Sequence, residues 1–290
     1  MIEKPGIYQL PESIYHGNSY PAPCLSAGVL KKLLLKSPKH AWLDHPALNP
    51  DYAEKVSANF DVGTAAHSVL LEGVDNIQVI DAKDWRTNEA KQAREVARMD
   101  GYIPLLPHQK SDVMAMVAVA QDFLKHSELG ISDLCAEGTC ESSWVWQEED
   151  TWLKIRPDWI SLDHTIILDY KTTDNSANPD GRGKHILNMG YHLQDALYRR
   201  GVRALTETNP TFVFLFQECE PPHMCSLAAL PSQFADMGDW QVERGIEIWR
   251  KCLAENDWPG YPDRICYPDV PGWAYAQWLG EVEEEGYSNG

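Results

Sequence analysis

The chain has 290 residues, 43% of them hydrophobic, with eleven Trp and twelve Tyr; that is enough for a large domain with a substantial core and excludes a disordered chain. Its longest clean apolar run, Met114 to Ala120, falls far short of the roughly 20 residues a membrane span needs. Met1-Ile2-Glu3-Lys4-Pro5 lacks the basic-then-apolar order of a secretion signal, so a soluble, intracellular protein with no membrane partner is expected. The formal net charge of −18 counts against a nucleic-acid binder, because neutralising phosphates supplies most of that affinity. The excess is uneven, however: residues 1–60 hold six Lys and five acids, whereas residues 236–290 hold four basic and twelve acidic residues. Much of it suits a solvated face or tail. The seven Cys, at 24, 135, 140, 219, 225, 252 and 266, contain no CxxC pair and read as buried thiols.

No internal repeat stands out, so 1–290 reads as a single domain with a mainly helical part (1–135), a sheet core (136–230) and a C-terminal helix with an acidic tail (231–290). Ser26 caps a helix running to Lys36, and Ser37-Pro38 starts another through Trp42. Asn59 to Glu72 is helical, with Ala65, His67 and Val69 among its inward positions, and Gly73 ends it. Thr87 to Met99 and Pro107 to Lys125 follow, the second with an apolar face of Val113, Met116, Val117 and Ala120. The period then changes to alternation: Thr139 to Gln147, Trp152 to Leu162 and Thr165 to Lys171 suit strands. Gly183 to Ala204 is helical again. Thr211 to Gln217 is a buried strand that His223 to Leu230 can pair with, and Pro231 to Glu255 is a last long helix. Trp258, Trp273 and Trp278 in the closing Pro- and Trp-rich segment read as core. The order of elements gives an α/β fold with a mixed central sheet flanked by helices.

The stretch from Glu141 to Lys171 carries the chemistry. Two polar turns, one centred between Glu149 and Asp150 and the other between Asp163 and His164, fold it into consecutive hairpins. Antiparallel pairing then puts Glu141 opposite Asp158, and Asp158 opposite Asp169. Lys171 shares a face with Asp169 because side chains alternate along a strand. Adjacent carboxylates on one face repel, and a divalent cation with a preference for hard oxygen ligands would relieve that. On spacing alone, a solvated sheet face with scattered acids stays open beside a metal site.

Ile155-Arg156-Pro157-Asp158 followed by Ile167-Leu168-Asp169-Tyr170-Lys171-Thr172-Thr173 resembles the PD…DxK signature of the PD-(D/E)xK nucleases. Gly63-Thr64-Ala65-Ala66-His67 with Leu70-Leu71-Glu72 is similar to the helix that places a metal-contacting His in the RecE-like and RecB-like branches. Tyr191-His192-Leu193-Gln194-Asp195-Ala196-Leu197-Tyr198 resembles the helix those branches carry after the DxK strand. The opening, Gly6-Ile7-Tyr8 through Tyr15-His16-Gly17 to Ser37-Pro38, is similar to the start of the exonuclease VIII (RecE-type) nuclease domain.

This resemblance implies a restriction-endonuclease-like core. It makes Asp158 and Asp169 metal ligands together with the backbone carbonyl of Tyr170, with His67 completing a shell and Glu141 as a further acid. Lys171 would position or help deprotonate the attacking water. Gln194 would line the site with Tyr191 and Tyr198, which share its helical face. The cofactor implied is Mg2+, with Mn2+ as a substitute, because divalent ions offset phosphate charge and acidify water. The activity implied is 5′ to 3′ digestion of double-stranded DNA ends in the cytoplasm of a bacterium or phage-infected host. It would leave 3′ single strands for an annealing or recombinase partner, and a ring-like homo-oligomer is implied with it. Two alternatives stay open: a structure-specific or single-strand RecB-like nuclease, and a non-catalytic acidic binding protein on the same scaffold. Arg182, Lys184, Arg199, Arg200 and Arg203 are either phosphate contacts or a solvated basic face, and His192 reads as surface.

Overall fold

A computed structural model of the protein describes residues 2–53, 61–73 and 76–288, and several of its helices start where the sequence supplies capping oxygens. After β1 (Gly6–Tyr8), α1 (Glu12–His16) and β2 (Leu25–Ser26), Ser26 Oγ accepts from Val29 N at the head of α2 (Ala27–Leu35). Ser37 does the same for α3 (Pro38–Leu43) through His40 N. Each oxygen satisfies one N–H that a helix start leaves without an intrahelical partner. α4 (Asp61–His67) runs into a π-helical turn (Ser68–Glu72), stopped by Gly73 in the left-handed region at φ 64°. Positions 59 and 60, expected to begin this helix, lie outside the described residues. β3 (Ile77–Val79), α5 (Asn88–Met99) and β4 (Ile103–Leu105) form a small parallel unit. α6 (Pro107–His126) buries Val113, Met116, Val117 and Ala120, the face its spacing predicts.

Beyond α7 (Leu134–Glu137), the three expected strands appear as five: β5 (Gly138–Cys140), β6 (Ser143–Glu148), β7 (Thr151–Ile155), β8 (Trp159–Ser161) and β9 (Ile166–Thr173). The expected registers hold throughout. Trp144 pairs with Ile155, Cys140 with Trp159, and Trp159 with Leu168. The ribbon is cut twice, because Glu141 takes a left-handed φ of 53° and Pro157 has no N–H to give a ladder. Across the cut, Glu141 N still donates to Asp158 O at 3.2 Å. One half of the ribbon joins the sheet β1-β6-β7-β2, and the other joins the central sheet.

The chain continues through α8 (Gly183–Met189), α9 (Tyr191–Thr206), β10 (Thr211–Glu218), β11 (Cys225–Ala229) and α10 (Ser232–Glu255). The central sheet has the order β11-β10-β9-β8-β5 and is mixed: β9 and β10 are parallel, and the other pairs are antiparallel. The helix expected over 183–204 breaks at Gly190, where φ is 63° and a Cβ would stand 3.1 Å from Lys31 Cγ and Leu35 Cδ1. β10 is covered on both faces. Phe212, Phe214 and Phe216 join a core with Leu30, Leu193 and Trp249, while Val213 and Leu215 join Ala65, Val113 and Met116 on the other side. Alternation along a doubly covered strand requires both sets to be apolar.

The chain divides into two compact units, Met1–Trp258 and Pro259–Gly290. In the first, Trp258 is buried and meets Trp249 edge-on at 5.2 Å, as expected of a core residue. In the second, helix α11 (Gly272–Ser288) was not anticipated, and Trp273 and Trp278 are 74% and 53% exposed. Their expected burial is thus corrected: a unit with one helix has no second layer of its own to cover them. Of the seven thiols, Cys24 and Cys252 are buried, while Cys135 and Cys266 are exposed. Among the described residues, no helix is long and apolar enough to cross a membrane.

α10 crosses α9 at Gly238, where a Cβ would lie 2.4 Å from His192 O and 3.2 Å from Ala196 Cβ. Gly238→Ala gains helix propensity, yet the backbone clash outweighs it. Urea unfolding should show a net loss of about 1–3 kcal/mol; an unchanged or higher midpoint would mean that α10 shifts freely against α9.

Candidate active site

The cut in the ribbon is where the acids collect. Asp158 follows Pro157 in the gap between β7 and β8, and its Oδ2 accepts from Tyr170 N at 2.7 Å. That oxygen lies 3.2 Å from Nε2 of His67, the last residue of α4. Glu141, turned by its left-handed backbone, brings Oε1 to 3.6 Å from the same nitrogen. Its Oε2 accepts from Arg156 Nε at 2.5 Å. Ligand-type atoms of His67, Glu141 and Asp158 all lie within 4.8 Å of one another. Glu141 Oε1 is buried and has no hydrogen-bond partner, which is costly for a carboxylate oxygen unless positive charge completes it. Two carboxylates, one imidazole and one orphaned oxygen fit a divalent cation with a preference for oxygen and nitrogen ligands.

Asp169 stands beside this group and is not one of its three members. It is fully buried on β9, with Oδ1 against the Lys171 ammonium and Oδ2 accepting from Gln194 Nε2 at 2.5 Å. Tyr170 enters through its backbone N–H. Its side chain turns to the opposite face of β9, where the hydroxyl donates to Gln217. Tyr191 lies under Lys171, with Nζ 5.6 Å from the ring centroid, and packs on Phe214. Tyr198 donates to the Arg156 carbonyl at 3.1 Å.

The charges of the two groups depend on each other. Burial alone would lower the His67 imidazole, but Asp158 and Glu141 override it and raise it to about 9. Burial, reinforced by Asp158, pushes the Glu141 carboxyl up to about 7. Burial also opposes ionisation of Asp158, yet His67, Lys171 and the Tyr170 N–H outweigh it and hold that carboxyl low. Asp169 is raised by burial to about 6 despite the pull of Lys171. Lys171 itself is raised, because Asp169 and Asp158 outweigh its burial.

Several residues stand elsewhere than the sequence suggested. His192 is 2% exposed and bonds Gln241 Oε1 at 2.7 Å; α10 covers the side of α9 that was read as surface. Arg199 is held by Asp195 and Asp239, Arg200 by Glu148 and Glu243, and Arg182 is buried over Phe216. Of the five basic residues considered for phosphate, only Lys184 and Arg203 are exposed. Three cations were missed. Arg156 pairs with Glu141, Lys31 reaches Gln194, and Lys154 donates to Tyr15 O at 2.5 Å beneath the Tyr20 ring. A half-buried Glu141 implied a cationic partner, and Arg156, just past the end of β7, was the available one. Nothing in the sequence separates Lys31 from its neighbour Lys32. Clefts of about 400 and 730 Å³ open on either side of the acids, and His67, Glu141 and Arg156 line both. A third, of about 340 Å³, is lined by Gly63, Thr64, His67, Tyr170, Lys171 and Thr172.

Residues 26–269 match the profile of a family described as a PDDEXK-like domain of unknown function (DUF3799). No curated protein matches the chain in sequence. Among solved structures, a candidate exonuclease from Eubacterium rectale is similar at a TM-score of 0.60 and 14% identity, over 91% of this chain and 97% of that one. An alkaline exonuclease from Laribacter hongkongensis reaches a TM-score of 0.27 and 11% identity over 66% and 93% of the two chains, too little overlap to argue from. The first likeness is one of fold. With its family profile spanning most of its length and this fold beneath it, the chain belongs to the PDDEXK-like domain family.

Proposed function

We propose that the protein is a metal-dependent exodeoxyribonuclease that hydrolyses phosphodiester bonds at double-stranded DNA ends. It works 5′ to 3′ and leaves 3′ single strands for recombination. The observation that carries this reading is the convergence of His67, Glu141 and Asp158 beside the Asp169–Lys171 pair in a PDDEXK-like chain. Polarity and substrate form rest on the resemblance of the four ordered motifs to the exonuclease VIII branch, and the fold likeness to the Eubacterium rectale candidate exonuclease supports the activity. The same resemblance implies a homo-oligomer and a single-strand annealing or recombinase partner.

The donor set fits Mg2+, with Mn2+ as substitute. In this reading His67, Glu141 and Asp158 hold the ion, with Asp169 and the Tyr170 carbonyl as further ligands. A bound divalent cation supplies Lewis acidity toward phosphate oxygen and water. The chain's own groups do the rest. Lys171, kept as an ammonium by Asp169 and Asp158, offers a fixed positive charge to the phosphate and serves as a donor, not as a base. Gln194 and Lys171 hold the two oxygens of Asp169 in place, Arg156 holds Glu141, and Tyr198 holds the Arg156 backbone. Tyr191 walls the site beneath Lys171.

Linear duplex DNA labelled separately at its 5′ and 3′ ends should lose the 5′ label first, only with Mg2+ or Mn2+. Lys171→Ala should slow this by at least ~10²-fold, as for loss of a positioned proton-handling or charged group, while still binding Mn2+. Earlier loss of the 3′ label would reverse the polarity. An absence of cleavage of duplex, nicked and single-stranded DNA with either metal would leave the non-catalytic scaffold as the better reading.

Metal binding should also depend on pH with a definite sign. The metal-free Glu141 carboxyl sits at about 7 and the His67 imidazole at about 9, and both must give up protons to act as ligands. Mn2+ affinity measured by calorimetry should therefore rise between pH 6 and pH 9, by about tenfold per unit for each proton displaced. A flat profile over that range would exclude these two groups from the ligand set.

A further inference from the structure

Lys31 is none of the residues that carry the nuclease resemblance, yet it reaches the centre of the site. Its Nζ donates to Gln194 Oε1 at 3.2 Å, and Gln194 Nε2 donates in turn to Asp169 Oδ2 at 2.5 Å. Lys31 Nζ also stands 5.1 Å from the Tyr191 ring centroid, the ring that lies under Lys171 at 5.6 Å. The aliphatic stem is located too: Gly190, between α8 and α9, leaves the space in which a Cβ would meet Lys31 Cγ at 3.1 Å and Cδ at 3.4 Å. The stem is thus guided past a residue without a side chain, and the ammonium ends at an amide oxygen.

A glutamine amide has a donor end and an acceptor end of nearly the same shape, so its orientation depends on its partners. A lysine ammonium can only donate. Facing Gln194, it accepts only the oxygen end, and this turns the NH2 end toward Asp169. We propose that Lys31 is a positioning residue of the active site: it fixes the Gln194 amide from behind, and through it the orientation of the Asp169 carboxylate. Asp169 is thereby held from both sides, by Lys171 on its own strand and by a relay that begins on α2. The assignment rests on the nuclease reading for its consequence in catalysis, but the relay itself is a property of the folded chain.

The test uses the full chain with Lys31→Met, Lys31→Arg, Gln194→Leu and the Lys31→Met/Gln194→Leu double variant. With Mg2+ and linear duplex DNA, Lys31→Met should lower kcat by ~10-fold, the low end of what losing a residue that orients a ligand costs, with KM within about twofold of wild type. Lys31→Arg, also a pure donor, should recover most of the loss. In the Gln194→Leu background, Lys31→Met should add nothing, because the route through the amide is gone. A raised KM with kcat intact, or losses that multiply in the double variant, would overturn the relay and make Lys31 a direct substrate contact. A second readout needs no activity: in 15N-glutamine-labelled protein without metal, the Gln194 side-chain NH2 should exchange slowly with solvent in wild type and fast in Lys31→Met. Equal exchange in the two would overturn the proposal. If wild type cleaves no DNA, the nuclease reading fails, and the exchange measurement alone still decides for or against the relay.

Discussion

Asp169 is a carboxylate with no access to solvent, and an unpaired charge in such a place would cost several kcal/mol or force the group to neutralise. Its neighbours answer that constraint. β9 supplies Lys171 two residues along, on the same face, and α9 supplies Gln194 from above. Both depend on β9 lying in the middle of the central sheet, between β8 and β10, with its polar face turned toward α9 and its apolar face toward α4 and α6. An edge strand could have left Asp169 in water. A central strand could not, so α2, α9 and β9 are tied together by the need to compensate one side chain.

The second group of acids follows a different logic. Glu141 and Asp158 come from the two places where the ribbon leaves one sheet for the other, and the pairing register continues across the gap. Within a regular ladder, neighbouring carboxylates would be fixed by the pleat and could only repel. A left-handed Glu141 and a proline before Asp158 free both side chains from the pleat, so both reach the single imidazole of His67. The π-helical turn directly after His67 is a distortion common where a helical side chain is aimed at a site. Arg156, from the same break, neutralises the far oxygen of Glu141 and leaves the near one without a hydrogen-bond partner.

Much of this arrangement was legible in the chain because the signals were local. Polar turns at Glu149-Asp150 and Asp163-His164 fixed the registers, and capping serines at 26 and 37 fixed two helix starts. What stayed hidden was tertiary. The switch between sheets at Glu141 needs to know that β1 and β2 flank one half of the ribbon, and no local pattern says so. Gly190 sits inside an unbroken helical pattern, and only its close approach to Lys31 and Leu35 of α2 marks the place. His192 reads as surface until α10 is laid against α9. Lys31 lies more than 150 positions from Gln194, and a lysine between a leucine and another lysine carries no sign of its target.

The net charge of −18 at first argues against a partner made of phosphates, but a sum over the chain is the wrong quantity. Asp61 is spent on Arg94 and Arg98, Glu148 and Glu243 on Arg200, and Asp195 and Asp239 on Arg199. These acids hold helices to one another and to the sheet, and their fields largely cancel against their partners. The same pairing removes Arg199 and Arg200 from any role as free phosphate contacts. What a ligand meets in the clefts is instead a short-range pattern: the Glu141 and Asp158 carboxylates bordered by Lys154, Arg156 and Lys171, with the buried Asp169 paired to Lys171 and Lys31 reaching Gln194. Low-dielectric walls strengthen such local fields relative to distant charge, which salt screens within about 10 Å. The potential at the site is therefore set chiefly by its own carboxylates, lysines and arginine.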